Sequence, residues 1–342
     1  MNNEEMKLEL QERLLEYPYA KRAGSKQIVM RCIFCGDSRK HTNSSHMSIK
    51  IDITDEEPIL FNCFLCNIGG VLTPSILKEF DIHDLELSSK LLSYNTEVVK
   101  KINKKIGIKD NDIVLRVPKY KEVPNRVLEK QAYIENRLGI TIPIEELYSL
   151  KTVFNISDFL LLNNIKPNAK EDKIRLINDD YVGFMSCRNE FLVCRNTVSN
   201  SNKRYEKYPI FYSLDNTRQF YSIPNNIDLM SPDDTEINVA EGVFDILGIY
   251  YHVKGCDKQN KVYAAVCGSG FMNVIKYFIN LGIFGNNVTL NIYSDSDKDI
   301  SYYKYIKKDL GVWFRKTNVF YNLNDHDYGV HKDKIHLILG GT

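Results

Sequence analysis

No apolar run in the 342 residues approaches the length that would span a bilayer. The opening Met1-Asn2-Asn3-Glu4-Glu5 is acidic and leads into an amphipathic stretch, so the basic lead and apolar core of a secretion signal are both missing. From these absences we expect a soluble, cytoplasmic chain with no membrane partner. Internal repeats and low-complexity tracts are absent too, and no Gly-x-x-x-x-Gly-Lys-Ser/Thr sequence marks a P-loop motor. What remains is ordinary globular material, 43% hydrophobic and long enough for two or three domains.

Without a signal peptide the eight cysteines are not expected to form a disulfide framework, and metal binding is the better account of any close pairs. Four of them are paired, as Cys32-Ile33-Phe34-Cys35 and Cys63-Phe64-Leu65-Cys66, with 27 residues between. Two residues between thiolates allow a tight turn to aim both at one ion, and two such turns complete a closed tetrahedral zinc site. Cys187, Cys194, Cys256 and Cys267 are scattered among apolar residues and read as small buried side chains. His41 and His46 could replace a ligand but are read as exposed.

The net charge of +1 hides a segregation. Residues 96 to 126 carry nine Lys or Arg against four acids, whereas 231 to 245 hold Asp233, Asp234, Glu236, Glu241 and Asp245 with no base. A basic stretch suits a polyanion and an acidic cluster suits divalent cations, although charge alone fits a solvated linker beside a solvated loop.

Hydrophobic spacing predicts a helix over 4–17, from Met6, Leu10, Leu14 and Tyr17. Short strands are expected at 27–31, 47–53 and 59–62, in a small sheet with too few apolar residues to hold together unless a metal helps. Pro118 and Pro124 close a lysine-rich connection. A helix over 125–138 ends near Gly139, and strands are expected at 181–187 and 190–195. The last third alternates strand and helix: strands at 237–240, 262–266, 288–293 and 319–321, with helices at 243–251, 271–281 and 299–310 between them. That rhythm argues for a mostly parallel sheet with its site at the carboxyl ends of the strands. The apolar run at 335–339 is either a docking element or a last strand. The expected organisation is 1–95, a connection over 96–124, a lobe over 125–235, and 236–342.

The run Cys32-Ile33-Phe34-Cys35-Gly36-Asp37-Ser38, followed by Phe61-Asn62-Cys63-Phe64-Leu65-Cys66 and Gly70, resembles the zinc-binding domain of phage and bacterial DnaG-type primases. Bacterial members usually have histidine as second ligand, and Cys35 matches the all-cysteine phage form. The resemblance implies one structural zinc on Cys32, Cys35, Cys63 and Cys66, and a zinc ribbon that binds single-stranded template. Phe34, Phe61, Phe64, Arg31, Arg39, Lys40 and Lys50 then become candidates for template contact, with core packing the expected role of at least two of the phenylalanines.

Glu241-Gly242 after one apolar strand and Asp295-x-Asp297 after a later one resemble the Toprim domain shared by primases, topoisomerases and some nucleases. Phosphoryl transfer needs divalent metals held by carboxylates. The resemblance implies that Asp295 and Asp297, with Glu241, hold magnesium or manganese, that Glu241 could instead move a proton, and that Asp245 matches an acid of the primase motif. Gly242 is expected to let the chain turn sharply beneath Glu241. Asp325 and Asp327 resemble a further acidic pair, although Asn324 and His326 depart from the commoner sequence. The segments 183–195 and 203–208 resemble the strand-rich lobe that precedes Toprim, which implies nucleotide and DNA contacts from Arg195, Lys203, Arg204 and Lys207.

The fold class expected is therefore α+β and multidomain: a zinc ribbon, then a primase core with a mixed α/β lobe and a Toprim α/β domain. The implied activity is synthesis of short RNA primers on single-stranded DNA from ribonucleoside triphosphates, with a separate replicative helicase as partner. Two other readings stay open. One is a Toprim nuclease or recombination factor, although such chains usually lack this basic lobe; the other is a non-catalytic zinc-ribbon DNA-binding protein. A topoisomerase is disfavoured because no nucleophilic context stands out among the 21 tyrosines.

Overall fold

A computed structural model describes residues 1–34, 36, 45–51, 54, 56–64, 69–105, 115–167, 169–198, 204–211, 220–225, 227, 234–268, 270–296, 299–322 and 335–340. The chain divides into two compact units, Met1–Lys109 with Phe211–Asn216, and Asp110–Ile210 with Thr217–Thr342.

The first unit opens with helix α1 (Asn3–Leu15), whose start is fixed by a capping box: Asn2 Oδ1 accepts from the Glu5 amide at 2.9 Å and Glu5 accepts from the Asn2 amide at 2.7 Å. Strands β1 (Lys21–Arg22), β2 (Gln27–Met30), β3 (Met47–Lys50), β4 (Leu60–Cys63) and β5 (Gly69–Val71) form an antiparallel sheet in chain order. Helices α2 (Pro74–Glu79) and α3 (Leu85–Lys105) follow. The sheet does not depend on its own few apolar residues. Met6, Leu10 and Leu14 of α1 and Leu87, Leu91, Tyr94 and Val98 of α3 bury against Ile28, Met30, Met47, Ile49, Phe61 and Cys63 in one core. Asn95, buried in α3, accepts from the Ile59 amide at 2.8 Å and donates to the Leu72 carbonyl at 2.7 Å, which ties the helix to the sheet. Residues 96–105 of the lysine-rich stretch thus belong to α3, where Val98, Val99 and Asn103 are buried. Helical spacing places these three inward while the lysines project outward.

The second unit begins with α4 (Asn125–Leu138), ended as expected by Gly139 in the left-handed region at φ 65°. Then come α5 (Ile144–Ser149), β6 (Thr152–Val153), α6 (Ile156–Leu162), α7 (Glu171–Asp180), β7 (Tyr181–Met185), β8 (Phe191–Asn196) and β9 (Tyr205–Pro209). Strands β6 to β9 form a four-stranded antiparallel sheet in chain order, and every residue of β7 and β8 is buried.

A six-stranded sheet is built from β10 (Tyr221–Ile223), β11 (Glu236–Ala240), β12 (Lys261–Ala265), β13 (Gly285–Asp295), β14 (Phe314–Asn322) and β15 (Ile335–Leu339). Its helices are α8 (Val243–Gly248), continued by a π-helical turn at Ile249–Val253, α9 (Phe271–Asn280) and α10 (Ile300–Asp309). The order is β10-β12-β11-β13-β14-β15, with the central four strands parallel and both edge strands antiparallel. The run at 335–339 is therefore a last strand. Ile237, Val239, Leu290 and Ile292 pack with Phe271, Val274, Phe278, Tyr303 and Ile306 in one apolar cluster. The alternate residues of the sheet carry a polar ladder instead. Asn238, Asn291 and Asn318 stand opposite one another on three adjacent strands, all buried. Asn291 Nδ2 donates to Asn238 Oδ1 at 3.2 Å and Asn318 Nδ2 donates to Asn291 Oδ1 at 2.8 Å.

Of the four cysteines outside the Cys-x-x-Cys motifs, Cys187 and Cys194 are buried and Cys267 is partly so, but Cys256 is exposed. It lies in a turn at φ 62°, outside any strand or helix, and so escapes the core. Among the described residues no helix is long and apolar enough to cross a membrane.

Candidate active site

The chain runs from β11 to β12 on one side, then returns past β11 to place β13 on the other. The order of the parallel strands therefore reverses between β11 and β13, and crevices for ligands open at the carboxyl ends of such a pair. Ala240 of β11 stands opposite Tyr293 of β13. One residue beyond Ala240 is Glu241, and two beyond Tyr293 is Asp295, so both acids of the sequence motif emerge at the strand-order reversal. The hydrogen-bond pattern continues past β11, with Val266 N donating to Ala240 O and Cys267 N to Glu241 O, each at 2.9 Å. Glu241 Oε2 and Asp295 Oδ1 are both shielded from solvent. Below them the buried Ser294 hydroxyl bonds to Tyr303 of α10, and burial raises the Tyr303 phenol above its ordinary pKa.

Gly242 is extended, at φ −117° and ψ 167°, so the expected sharp turn is not what requires glycine there. Space is. A Cβ at 242 would meet Asp245 Oδ2 at 3.0 Å and the Tyr205 hydroxyl at 3.7 Å. Asp245 itself accepts from the Gly242 amide at 2.8 Å, which caps the first turn of α8.

The four-stranded sheet supplies the cations. Arg195 on β8 stands opposite Tyr205 on β9, and Val193 opposite Lys207, so strand alternation puts Arg195, Tyr205 and Lys207 on one face. The Arg195 guanidinium lies over the Tyr205 ring at 4.3 Å, and its Nε donates to the Tyr133 hydroxyl at 3.4 Å. Lys207 lies over Phe191 at 5.4 Å. Burial holds the Tyr205 phenol above its ordinary pKa, with Arg195 opposing and Asp245 adding to the rise. Burial likewise lowers the Lys207 ammonium and pushes the Cys267 thiol up to about 11, each shift opposed by the other group. Tyr205 links this face to the start of α8, its hydroxyl lying on the same side of Gly242 as Asp245 Oδ2.

Arg204 is not part of this face. It is exposed just ahead of β9, in phase with Glu206, whose carboxylate pairs with Lys173 at 2.7 Å. The sequence reading missed Tyr205, Tyr133 and Arg137. Arg137 lies over the Phe244 ring at 5.2 Å, and Tyr133 packs edge-on to the same ring at 5.8 Å. Only the spacing of Tyr133 and Arg137 on α4, four residues apart, could have hinted at a shared surface.

In the first unit, Met30, Met47 and Cys63 align across β2, β3 and β4, and Cys32 lies two residues past Met30, so Cys32 and Cys63 sit at the same end of the sheet, both buried. The Gly36 amide donates to the Cys32 carbonyl at 2.9 Å, closing a tight turn, with Gly36 in the left-handed region at φ 67°. Phe61 is buried, whereas Phe34 and Phe64 are exposed, at 37% and 70%. One phenylalanine of the three, not two, serves the core.

Cys35, Cys66, Asp297, Asp325, Asp327, Lys203, Arg39, Lys40 and His41 lie outside the described residues. Among the described residues no group of three or more His, Cys, Asp or Glu is arranged to hold a metal ion.

No protein-family model matches the chain. No curated protein matches it either. Solved structures similar to it include two primases. The zinc-binding and RNA polymerase domains of the Aquifex aeolicus primase align at 13% identity over 97% of this chain and 81% of that one, with a TM-score of 0.42. The RNA polymerase domain of Mycobacterium tuberculosis primase DnaG aligns at 11% identity over 62% of this chain and 73% of that one, also with a TM-score of 0.42.

Proposed function

We propose that the chain is a DNA primase that joins ribonucleoside triphosphates into short RNA primers on a single-stranded DNA template. The observation that carries this reading is the pair Glu241 and Asp295 at the ends of adjacent parallel strands where the strand order reverses. Two carboxylates with shielded oxygens, followed in sequence by Asp297, are a donor set of the hard-oxygen type that magnesium and manganese take. Glu241, Asp295 and Asp297 would hold the metal in a Toprim-like domain, where it supplies charge neutralisation at the phosphates. Arg195 and Lys207, on the face shared with Tyr205, hold template or nucleotide phosphates by charge-assisted hydrogen bonds. Asp245 positions Glu241 by capping α8 directly behind it.

Residues 1–95 serve as the zinc-binding module. Two buried thiols at one end of a small sheet, each with a partner cysteine three residues on in the sequence, suit a closed four-thiolate site of the zinc-ribbon type. Cys32, Cys35, Cys63 and Cys66 would hold the ion, and the exposed Phe34 and Phe64 would stack on template bases. A separate replicative helicase would deliver the template.

The test is primer synthesis by the purified full chain with magnesium, ribonucleotides and a library of single-stranded templates. Oligoribonucleotides are expected from the wild type and not from Asp295→Ala protein. Absence of product from the wild type, or equal product from both, would overturn the proposal.

A further inference from the structure

Helix α10 leaves the acidic end of the sheet at Asp299, which accepts from the Ser301 amide at 2.8 Å, and runs about 15 Å toward the start of β14. Tyr303, Ile306 and Leu310 turn inward and are buried. The opposite face carries Lys304, Tyr305 and Lys308, which helical spacing puts side by side. Beyond the helix Val312 and Trp313 are exposed as well, with the Trp313 ring edge-on to Phe284 at 5.2 Å. Tyr305 is 58% exposed and Trp313 45%.

Folding accounts for little of this. Lys304 and Lys308 are like charges four residues apart, which weakens a helix. The helix dipole favours Lys307 and Lys308 at its last turn but does nothing for Lys304 or Lys316. Residues 301–316 hold five Lys or Arg and a single acid, Asp309. Two of the cations are engaged elsewhere: Lys307 donates to the Gly340 carbonyl at 3.0 Å, and Arg315 pairs with Asp234 at 3.3 Å. Among the described residues no carboxylate pairs with Lys304, Lys308 or Lys316.

Cations interleaved with exposed rings match one class of ligand. The charge selects a polyanion, and the rings select one whose bases are open to stack. We propose that the outward face of α10, together with Trp313, binds single-stranded nucleic acid at a surface distinct from the acidic strand ends. The proposal holds whether or not the acidic site makes primers.

Trp313 is the sole tryptophan of the chain and so reports on its own surface. The experiment titrates the full chain, without added magnesium, with a sixteen-nucleotide oligothymidylate at low and moderate salt while reading tryptophan emission. Saturable quenching is expected, with affinity falling steeply as salt rises. Lys304→Glu/Lys308→Glu protein should bind at least tenfold more weakly with an unchanged circular dichroism spectrum and melting temperature, and Tyr305→Ala protein several-fold more weakly. Asp295→Ala protein should quench like the wild type, so failure of this site and failure of primer synthesis are read separately. Unchanged emission at saturating oligonucleotide would overturn the proposal, as would equal affinity of the folded double variant or equally good competition by duplex DNA.

Discussion

Asn238 and Asn291 stand opposite each other on β11 and β13, buried, with Asn291 Nδ2 donating to Asn238 Oδ1 at 3.2 Å. This contact lies two residues below the Ala240 and Tyr293 pair and therefore below Glu241 and Asp295. A one-residue slip would exchange the two faces of a strand and bury apolar side chains against amides. The asparagines thus specify the register that brings the two carboxylates together.

Asn291→Ala should be strongly destabilising, because it strips partners from Asn238, Asn318 and Glu236 at once. Leaving buried polar groups unsatisfied costs about 1–3 kcal/mol. Urea unfolding should register a loss in that range with no change in slope, and a loss below about 0.5 kcal/mol, the scale of an ordinary surface substitution, would remove the ladder's role.

The capping contact between Asp245 and Gly242 separates two roles for that acid. Asp245→Ala loses the acceptor of the Gly242 amide and should cost about 0.5–1.5 kcal/mol, the usual net worth of a hydrogen bond. Asp245→Asn keeps an acceptor oxygen and should recover most of the melting temperature. If Asn restores stability and primer synthesis together, Asp245 acts by positioning; if stability returns while synthesis does not, its charge is needed at the site.

Lys130 is a buried ammonium that donates to the Phe154 and Asn178 carbonyls at 2.6 and 2.7 Å. Burial lowers its pKa from 10.5 to about 8, with Arg126 adding to the fall. Below that value both the folded and unfolded chains hold the proton and the penalty is complete. Between about 8 and 10.5 only the unfolded chain holds it, so stability rises with pH, by at most roughly 1.4 kcal/mol per pH unit. The stability of wild type relative to Lys130→Met protein should therefore increase across this window in denaturant titrations, and parallel curves would contradict the shift.

Local pattern was enough for much of the chain. The spacing of Met6, Leu10 and Leu14 predicts α1, Gly139 marks the end of α4, and four apolar runs with helices between them predict the parallel core, because burial on one face imposes a period that sequence records directly. It also places Glu241 and Asp295 each just where a strand ends. Their neighbourhood is another matter. Nothing local says that β13 pairs with β11 instead of β12, or that Asn238 meets Asn291 across 53 residues. Nor does it say that Arg195 lies over Tyr205 beside Gly242, or that α3 absorbs part of the lysine-rich stretch. Such pairings are decided by which faces can be buried together and which polar groups can be satisfied there, conditions that exist only once distant segments meet. The sequence by itself determined the elements and the acids at their ends; the tertiary structure decided which of them face one another.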